Sequence, residues 1–264
     1  GQAGDDTLCG GGGSDWMSGQ TGDDLLQSIC PGPVITPPEF IITDPIGFTS
    51  STVDVLMIVD ISGSTDAPFG GSTPLGDVNG DLDSDTRLDA ELAGFIALNN
   101  QLIADGVDAN IGVVSFGHSA SQLAMDPTNP GGNQWATTPT ADVDGNGVPD
   151  VEDILRSLQS GGATSFEPAL QLAHSFFTTM GTSSGEGVLV FLSDGDADDD
   201  PDYVDEVASL NGMGIDLRAF GVGAGADLPD LQLIDPTATR FDDTDELINE
   251  LGGLGITTSN EIPF

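Results

Sequence analysis

Short apolar runs alternate along most of the chain with longer stretches of helical spacing. Residues 53–60 (VDVLMIVD), 109–117 (ANIGVVSFG), 187–193 (GVLVFLS) and 215–222 (IDLRAFGV) are near-continuous hydrophobic segments of strand length. Runs of this kind suit strands buried on both faces. Between them, residues 87–105 place Leu88, Leu92, Phe95, Ile96, Leu102 and Ile103 at helical intervals, and residues 151–159 do the same with Val151, Ile154, Leu155 and Leu158. Residues 166–180, ending before Gly181, and residues 202–211 read as further helices. A short strand near Arg240 and Phe241 and a helix over 244–251 close the series. This alternation predicts an α/β fold, a Rossmann-like, mostly parallel sheet with helices on both faces. Binding sites in such sheets form at the carboxyl ends of the strands, where Asp60 and Asp194 fall.

The first thirty residues follow another rule. Residues 1–27 divide into GQAGDDTLC, GGGGSDWMS and GQTGDDLLQ, each fitting G-x-x-G-x-D-x-U-x with U a large apolar residue. Glycines permit tight turns, Leu8, Met17 and Leu26 point inward from short strands, and Asp6, Asp15 and Asp24 are candidate calcium ligands. The segment resembles the RTX repeats of calcium-binding parallel β-rolls. That resemblance implies two nonapeptides per coil, with Asp6 and Asp24 stacked on one side and Asp15 on the other. The chain opens in mid-repeat, so the roll is expected to continue upstream and any targeting signal to lie outside the chain. Prolines at 31, 33, 37, 38 and 45 mark an extended linker. The expected organisation is repeats at 1–30, linker at 31–50, a large domain at 51–258 with acidic insertions near 70–86 and 126–150, and a tail at 259–264.

Charge sharpens the picture. The chain carries 44 acidic and 4 basic residues, a formal net charge of -40. The basic residues are Arg87, Arg156, Arg218 and Arg240, and lysine is absent. A nucleic-acid backbone or an anionic membrane surface requires basic patches, so neither is an expected partner. No run approaches the roughly 20 apolar residues of a membrane span. Such an excess of carboxylates calls for bound cations, high salt or both. Cys9 and Cys30 either pair as a disulfide or remain thiols.

Three segments of the large domain carry the chemistry. Asp60, Ser62 and Ser64 alternate at the end of the first strand, Thr164 lies in the glycine loop 161–165 before a helix, and Asp194 follows the strand 187–193 in an S-D-G step. Together they resemble the metal-ion-dependent adhesion site (MIDAS) of von Willebrand factor A (vWA) domains, over roughly residues 50–255. The resemblance implies a divalent ion, magnesium, calcium or manganese, held by Asp60, Ser62, Ser64, Thr164 and Asp194. Two carboxylates and three hydroxyls would leave that ion electron-poor and open to a carboxylate from a partner.

Two insertions suggest calcium. In residues 76–86, Asp77, Asn79, Asp81, Asp83 and Asp85 recur at alternate positions, without glycine at the sixth position of the loop. In residues 142–153, Asp142, Asp144, Asn146, the Val148 carbonyl, Asp150 and Asp153 take positions 1, 3, 5, 7, 9 and 12 of an EF-hand loop, with Gly147 at position 6. Aspartate replaces glutamate at position 12, and no helix is expected before the loop. Both insertions are expected to rigidify the ligand-facing loops. The acid run Asp196, Asp198, Asp199, Asp200 and Asp202 reads as a helix start or as a specificity rim.

Catalytic motifs are missing from the sequence: no phosphate loop, no H-E-x-x-H, and no nucleophile elbow around Ser115. His118 and His174 read as packing or surface residues. The expectation is a non-enzymatic, extracellular or cell-surface module of a bacterial RTX adhesin, exported by type I secretion. It would bind a protein or surface ligand that presents a carboxylate. A structural or assembly module, or a non-catalytic domain of a secreted RTX enzyme, stays open.

Overall fold

The computed structural model describes residues 7–9, 25–27, 52–71, 73–195, 197 and 203–256. The chain divides into two compact units, Gly1–Phe48 and Thr49–Phe264. In the first, strands β1 (Thr7–Cys9) and β2 (Leu25–Gln27) pair in parallel with Leu8 opposite Leu26, two nonapeptides apart. Asp6, Asp15, Asp24, Cys30, the linker at 31–50, the acid run at 196 and 198–202, and the tail at 259–264 lie outside the described residues.

The second unit is built on six strands, β3 (Val53–Asp60), β4 (Ala109–Phe116), β5 (Ala120–Gln122), β6 (Gly187–Ser193), β7 (Asp216–Val222) and β8 (Thr239–Phe241). Their spatial order is β5-β4-β3-β6-β7-β8, parallel throughout except for the antiparallel β5. Helices α1 (Arg87–Asp105), α2 (Asp150–Arg156) and α6 (Thr244–Gly252) cover one face, and α3 (Phe166–Met180), α4 (Val204–Met213) and α5 (Leu228–Ile234) the other. Side chains alternate across the sheet. Val53, Val55, Met57 and Val59 of β3 join the α1/α2/α6 core, while Leu56 and Ile58 join the α3/α4/α5 core. Burial on both sides is why the strand sequences read as unbroken apolar runs.

Packing fixes the helices closely. A Cβ on Gly94 would lie 2.4 Å from Leu251 Cδ1, so glycine lets α6 sit directly on α1. On the other face, Phe166 stacks edge-on to Phe191 (4.9 Å between centroids) and Phe116 (5.8 Å), and beside Tyr203 (5.5 Å). Phe166 opens α3, so this cluster anchors the helix directly after Thr164 and Ser165. Among the described residues no helix is long and apolar enough to cross a membrane.

Several boundaries differ from the sequence reading. The helix expected over 151–159 covers only Asp150–Arg156. Ser157 Oγ donates to the Ile154 carbonyl (2.7 Å) and ends it, although Leu158 beyond is still buried and so prolongs the apolar spacing. The helix expected over 202–211 is observed at Val204–Met213. β5 was not expected, because A-S-Q carries no apolar run and gains its order by pairing with β4. The seven-residue α5 buries only Leu231 and Ile234, too little for a periodic signal.

Phe166→Ala should cost about 3–5 kcal/mol in urea unfolding, the usual range for deleting a buried phenyl ring. A cost below about 1 kcal/mol would mean that the aromatic cluster does not anchor α3.

Candidate metal centre

The chain leaves β3 toward β4 on one side of the sheet and later reaches β6 on the other, so β3 and β6 flank the point where strand order reverses. Asp60 ends β3 and Ser193–Asp194 ends β6, both fully buried. Ser62 N donates to Asp60 Oδ1 (2.8 Å), and Ser193 Oγ donates to Asp60 Oδ2 (2.6 Å). The 3-10 turn Gly63–Asp66 then carries Ser64 back over the strand end. Ser62 Oγ and Ser64 Oγ are 3.0 Å apart, and both face Asp194 Oδ1, at 3.5 and 2.6 Å.

The loop with Thr164 is laced to this turn through its backbone. Gly161 N donates to the Ile61 carbonyl (2.6 Å) and Gly63 N to the Gly162 carbonyl (3.0 Å), while Ser165 N ties the loop to the end of β4 at the Gly117 carbonyl (2.9 Å). Gly162 has φ +103, a conformation that disfavours any side chain. A methyl group placed on Gly195 would lie 3.6 Å from Thr164 Oγ1 and 3.7 Å from Ser64 Oγ, so these groups line one hollow with the Gly195 backbone. The structure thus gathers Ser62, Ser64, Thr164 and Asp194, with Asp60 behind them.

Two residues of the site were not singled out in the sequence. Arg87, the first residue of α1, donates from Nη1 to Asp194 Oδ2 at 2.6 Å. It is wedged under the loop after β7, where a Cβ on Gly223 would come within 2.8 Å of its Nε. Glu91, one turn further along α1, is fully buried and accepts from Asp60 N (3.1 Å), while its Oε1 has no partner. Both signals were present: Arg87 is one of four basic residues, and Glu91 interrupts the apolar stripe between Leu88 and Phe95.

Asp60, Glu91 and Asp194 are therefore all buried, and the Arg87 guanidinium pairs with Asp194. Burial pushes Asp60 up from 3.8 to about 6, against hydrogen bonds from Ser193 and Ser62 that lower it. Burial, with the charges of Asp60 and Asp194, pushes Glu91 well above the usual carboxylate range. A divalent cation fits this setting. The hydroxyls and carboxylates are hard oxygen donors, and the ion would supply the positive charge that Arg87 alone does not. Among the described residues no three acidic, histidine or cysteine side chains converge on one point that could hold a metal ion.

A family model for the von Willebrand factor type A domain matches residues 55–196, more than half of the chain. The chain belongs to the von Willebrand factor type A domain family. Solved vWA-fold structures resemble it over 76% of its length. They include a von Willebrand factor type A protein from Catenulispora acidiphila (20% identity, TM-score 0.56, 41% of that chain covered). Others are proximal thread matrix protein 1 of the mussel byssus, with a zinc-occupied MIDAS motif (16%, 0.53, 46% covered), and the pilus adhesin SpaC of Lactobacillus rhamnosus GG (14%, 0.54, 29% covered). The chain spans less than half of each of these three proteins, and identities this low show the shared fold alone. No curated protein matches it.

The other expected ligands are placed as follows. In the loop 76–86 of this vWA domain, Asp77 accepts from the N–H groups of Gly80, Asp81 and Leu82, and Asp81 accepts from Asp83 N. Asp85 turns away from them to accept from Leu75 N and Gly76 N. Leu82 fills the sixth position with φ +81 and is 91% exposed, a left-handed conformation that glycine would hold without strain. In the loop 142–153, Asp142 accepts from the N–H groups of Gly145, Asn146 and Gly147, the same pattern. His118 is exposed after β4, and His174 is half-buried on α3.

The pH dependence follows from Asp60. Its folded value of about 6 lies above the ordinary 3.8, so protonation favours the folded state. Without metal, this contribution is fully present below about pH 4 and is lost as pH rises through about 6. A magnesium ion held by Asp60 would require the carboxylate, so affinity should fall up to about tenfold per unit of pH below 6. Calorimetric titration from about pH 7 to pH 5 checks this. A flat profile, or an unchanged profile in Asp60→Asn, would show that Asp60 does not hold the ion.

Proposed function

We propose that this vWA domain is the metal-dependent ligand-binding module of a secreted bacterial RTX adhesin. The observation that carries the reading is the donor set at the carboxyl ends of β3 and β6. Buried Ser62, Thr164 and Asp194 meet beneath the exposed Ser64, with Asp60 and Glu91 buried behind them. A magnesium, manganese or calcium ion at this site would offer a Lewis-acidic position to an incoming carboxylate. Ser64 is exposed, so the hydroxyl side of the site is open to a partner. The partner's carboxylate would meet a local cation although the chain as a whole is strongly acidic, and salt would screen the longer-range repulsion.

The setting is proposed on separate grounds. The three nonapeptides and the parallel pairing of Leu8 with Leu26 support a calcium-binding β-roll using Asp6, Asp15 and Asp24. On that basis the protein is extracellular or on the cell surface, exported by type I secretion, folded by external calcium and engaged in attachment or biofilm formation. The fold shared with a pilus adhesin supports an adhesive role. The fold shared with a byssal matrix protein favours, as a second reading, a structural module whose metal site holds a neighbouring subunit.

Peptide display on the immobilised protein in magnesium tests the binding mode. Selected sequences should share an exposed aspartate or glutamate, elute with chelator, and fail to bind Asp60→Ala or Thr164→Ala proteins that remain folded by circular dichroism. Binding that survives chelation, or is undiminished in folded Asp60→Ala, would contradict the proposal.

A further inference from the structure

A second cluster of acids lies away from the Asp60 site and has no part in the adhesive chemistry. The loop 142–153 closes through Asp150 N donating to the Ala141 carbonyl (2.7 Å). Its turns require glycine at Gly145 (φ +73) and Gly147 (φ +86). Asn146 Nδ2 contacts both Asp144 Oδ2 (3.1 Å) and Asp153 Oδ2 (2.8 Å), so these two carboxylates already face a common point occupied by an N–H donor.

The decisive feature is Asp150. This residue is fully buried, and its Oδ1 accepts from Val143 N (2.9 Å), which turns the carboxylate onto the beginning of the loop. Its Oδ2 is buried with no hydrogen-bond partner. A buried carboxylate oxygen without a partner is costly, and proteins keep such a group where a cation completes it. Backbone N–H groups of the loop satisfy Asp142 and Asp144, Asn146 donates to Asp153 and Arg156 to Glu152, but this oxygen stays unmatched.

We propose that residues 142–153 form a calcium site, separate from the Asp60 site, with Asp142, Asp144, Asn146, the Val148 carbonyl, Asp150 and Asp153 as ligands. Five carboxylates, four of them at ligand positions, and no basic side chain within the loop give it the charge density of a calcium site, and ligands spread over twelve residues suit a large, irregular coordination shell better than the tight octahedron of magnesium. The acids do not converge on one point in the structure, so binding draws Asp144 and Asp153 away from Asn146 Nδ2 and onto the ion.

The site also holds its surroundings. Asp150 is the first residue of α2, and Arg156 at the other end donates from Nη1 to the Val78 carbonyl (2.8 Å) while the Leu158 carbonyl accepts from Asn79 Nδ2 (3.0 Å). α2 thereby clamps the loop 76–86. That loop is tied in turn by Val78 N to Asp89 Oδ1 (2.7 Å), beside the Thr86–Asp89 cap of α1 from which Arg87 reaches Asp194. Calcium at Asp150 would stiffen the segment that presents Arg87 to the other metal site.

Equilibrium dialysis with calcium on the full chain, with thermal unfolding in parallel, tests the assignment. Asp144 is exposed and bonds only within its loop, so Asp144→Ala should fold normally and bind one calcium fewer than wild type. Asp150→Asn should also bind one fewer, yet be no less stable than wild type without calcium, because an amide in place of the unmatched oxygen relieves the buried charge. Both variants should lose part of the calcium-induced rise in Tm. Asp60→Ala should keep this calcium, which separates the site from the adhesive centre. Undiminished stoichiometry and an unchanged calcium-induced rise in Tm in Asp144→Ala and Asp150→Asn would overturn the proposal.

Discussion

The contact between Arg87 and Asp194 is the interaction on which the site depends. Asp194 is fully buried just after a central strand, and the Arg87 guanidinium, donating from Nη1 to Asp194 Oδ2 at 2.6 Å, is its main charge compensation. Removing one partner from such a buried pair typically costs about 3–5 kcal/mol, since the other charge is left stranded. Asp60 and Glu91 crowd the same volume with no basic partner of their own, and burial raises both. The arrangement is thus short of positive charge by design of the fold. A divalent ion on the hydroxyl side would complete it from the solvent, while Arg87 completes it from within.

The fold explains why these groups can meet. Parallel strands buried on both faces expose little but their ends, and only at the β3/β6 boundary do two neighbouring strand ends lie open, with chain leaving in opposite directions. The aromatic cluster around Phe166 and the backbone lacing at Gly161, Gly162 and Gly63 bring the Thr164 loop to the same place. Of the two acidic loops, 76–86 runs directly into α1, and 142–153 includes the first turn of α2. The loop 142–153 holds five carboxylates and no basic residue, whereas at Asp60 three carboxylates (Asp60, Glu91 and Asp194) stand with hydroxyls and an arginine.

Strand and helix identities were legible because burial dictates them. The runs at β3, β4, β6 and β7 are apolar for the same reason that they are central, and the 3.6-residue stripe of α1 is the face packed on the sheet. What escaped was order imposed from outside an element. β5 exists because β4 offers it an edge, and α2 stops where a serine hydroxyl takes a carbonyl, neither of which leaves a hydrophobic period. At the site, Asp60, Ser62, Ser64, Thr164 and Asp194 could be named because they recur in a motif. Arg87 and Glu91 could not, since their importance comes from facing the motif across the α1–sheet interface. A charged residue inside an apolar helical stripe, as Glu91 is, was the one available clue. Asp150 shows the complementary case. The sequence placed it at a ligand position, and only the fold revealed that one of its oxygens is buried and unmatched.

The most direct measurement is an anomalous difference map from crystals of the protein equilibrated with manganese. One peak is expected, bounded by Ser62 Oγ, Ser64 Oγ, Thr164 Oγ1 and Asp194 and absent from crystals of Asp60→Ala grown under the same conditions. A well-ordered map with no peak among these residues, or an undiminished peak in Asp60→Ala, would contradict the claim that the buried charge cluster at β3 and β6 is built to hold a divalent cation.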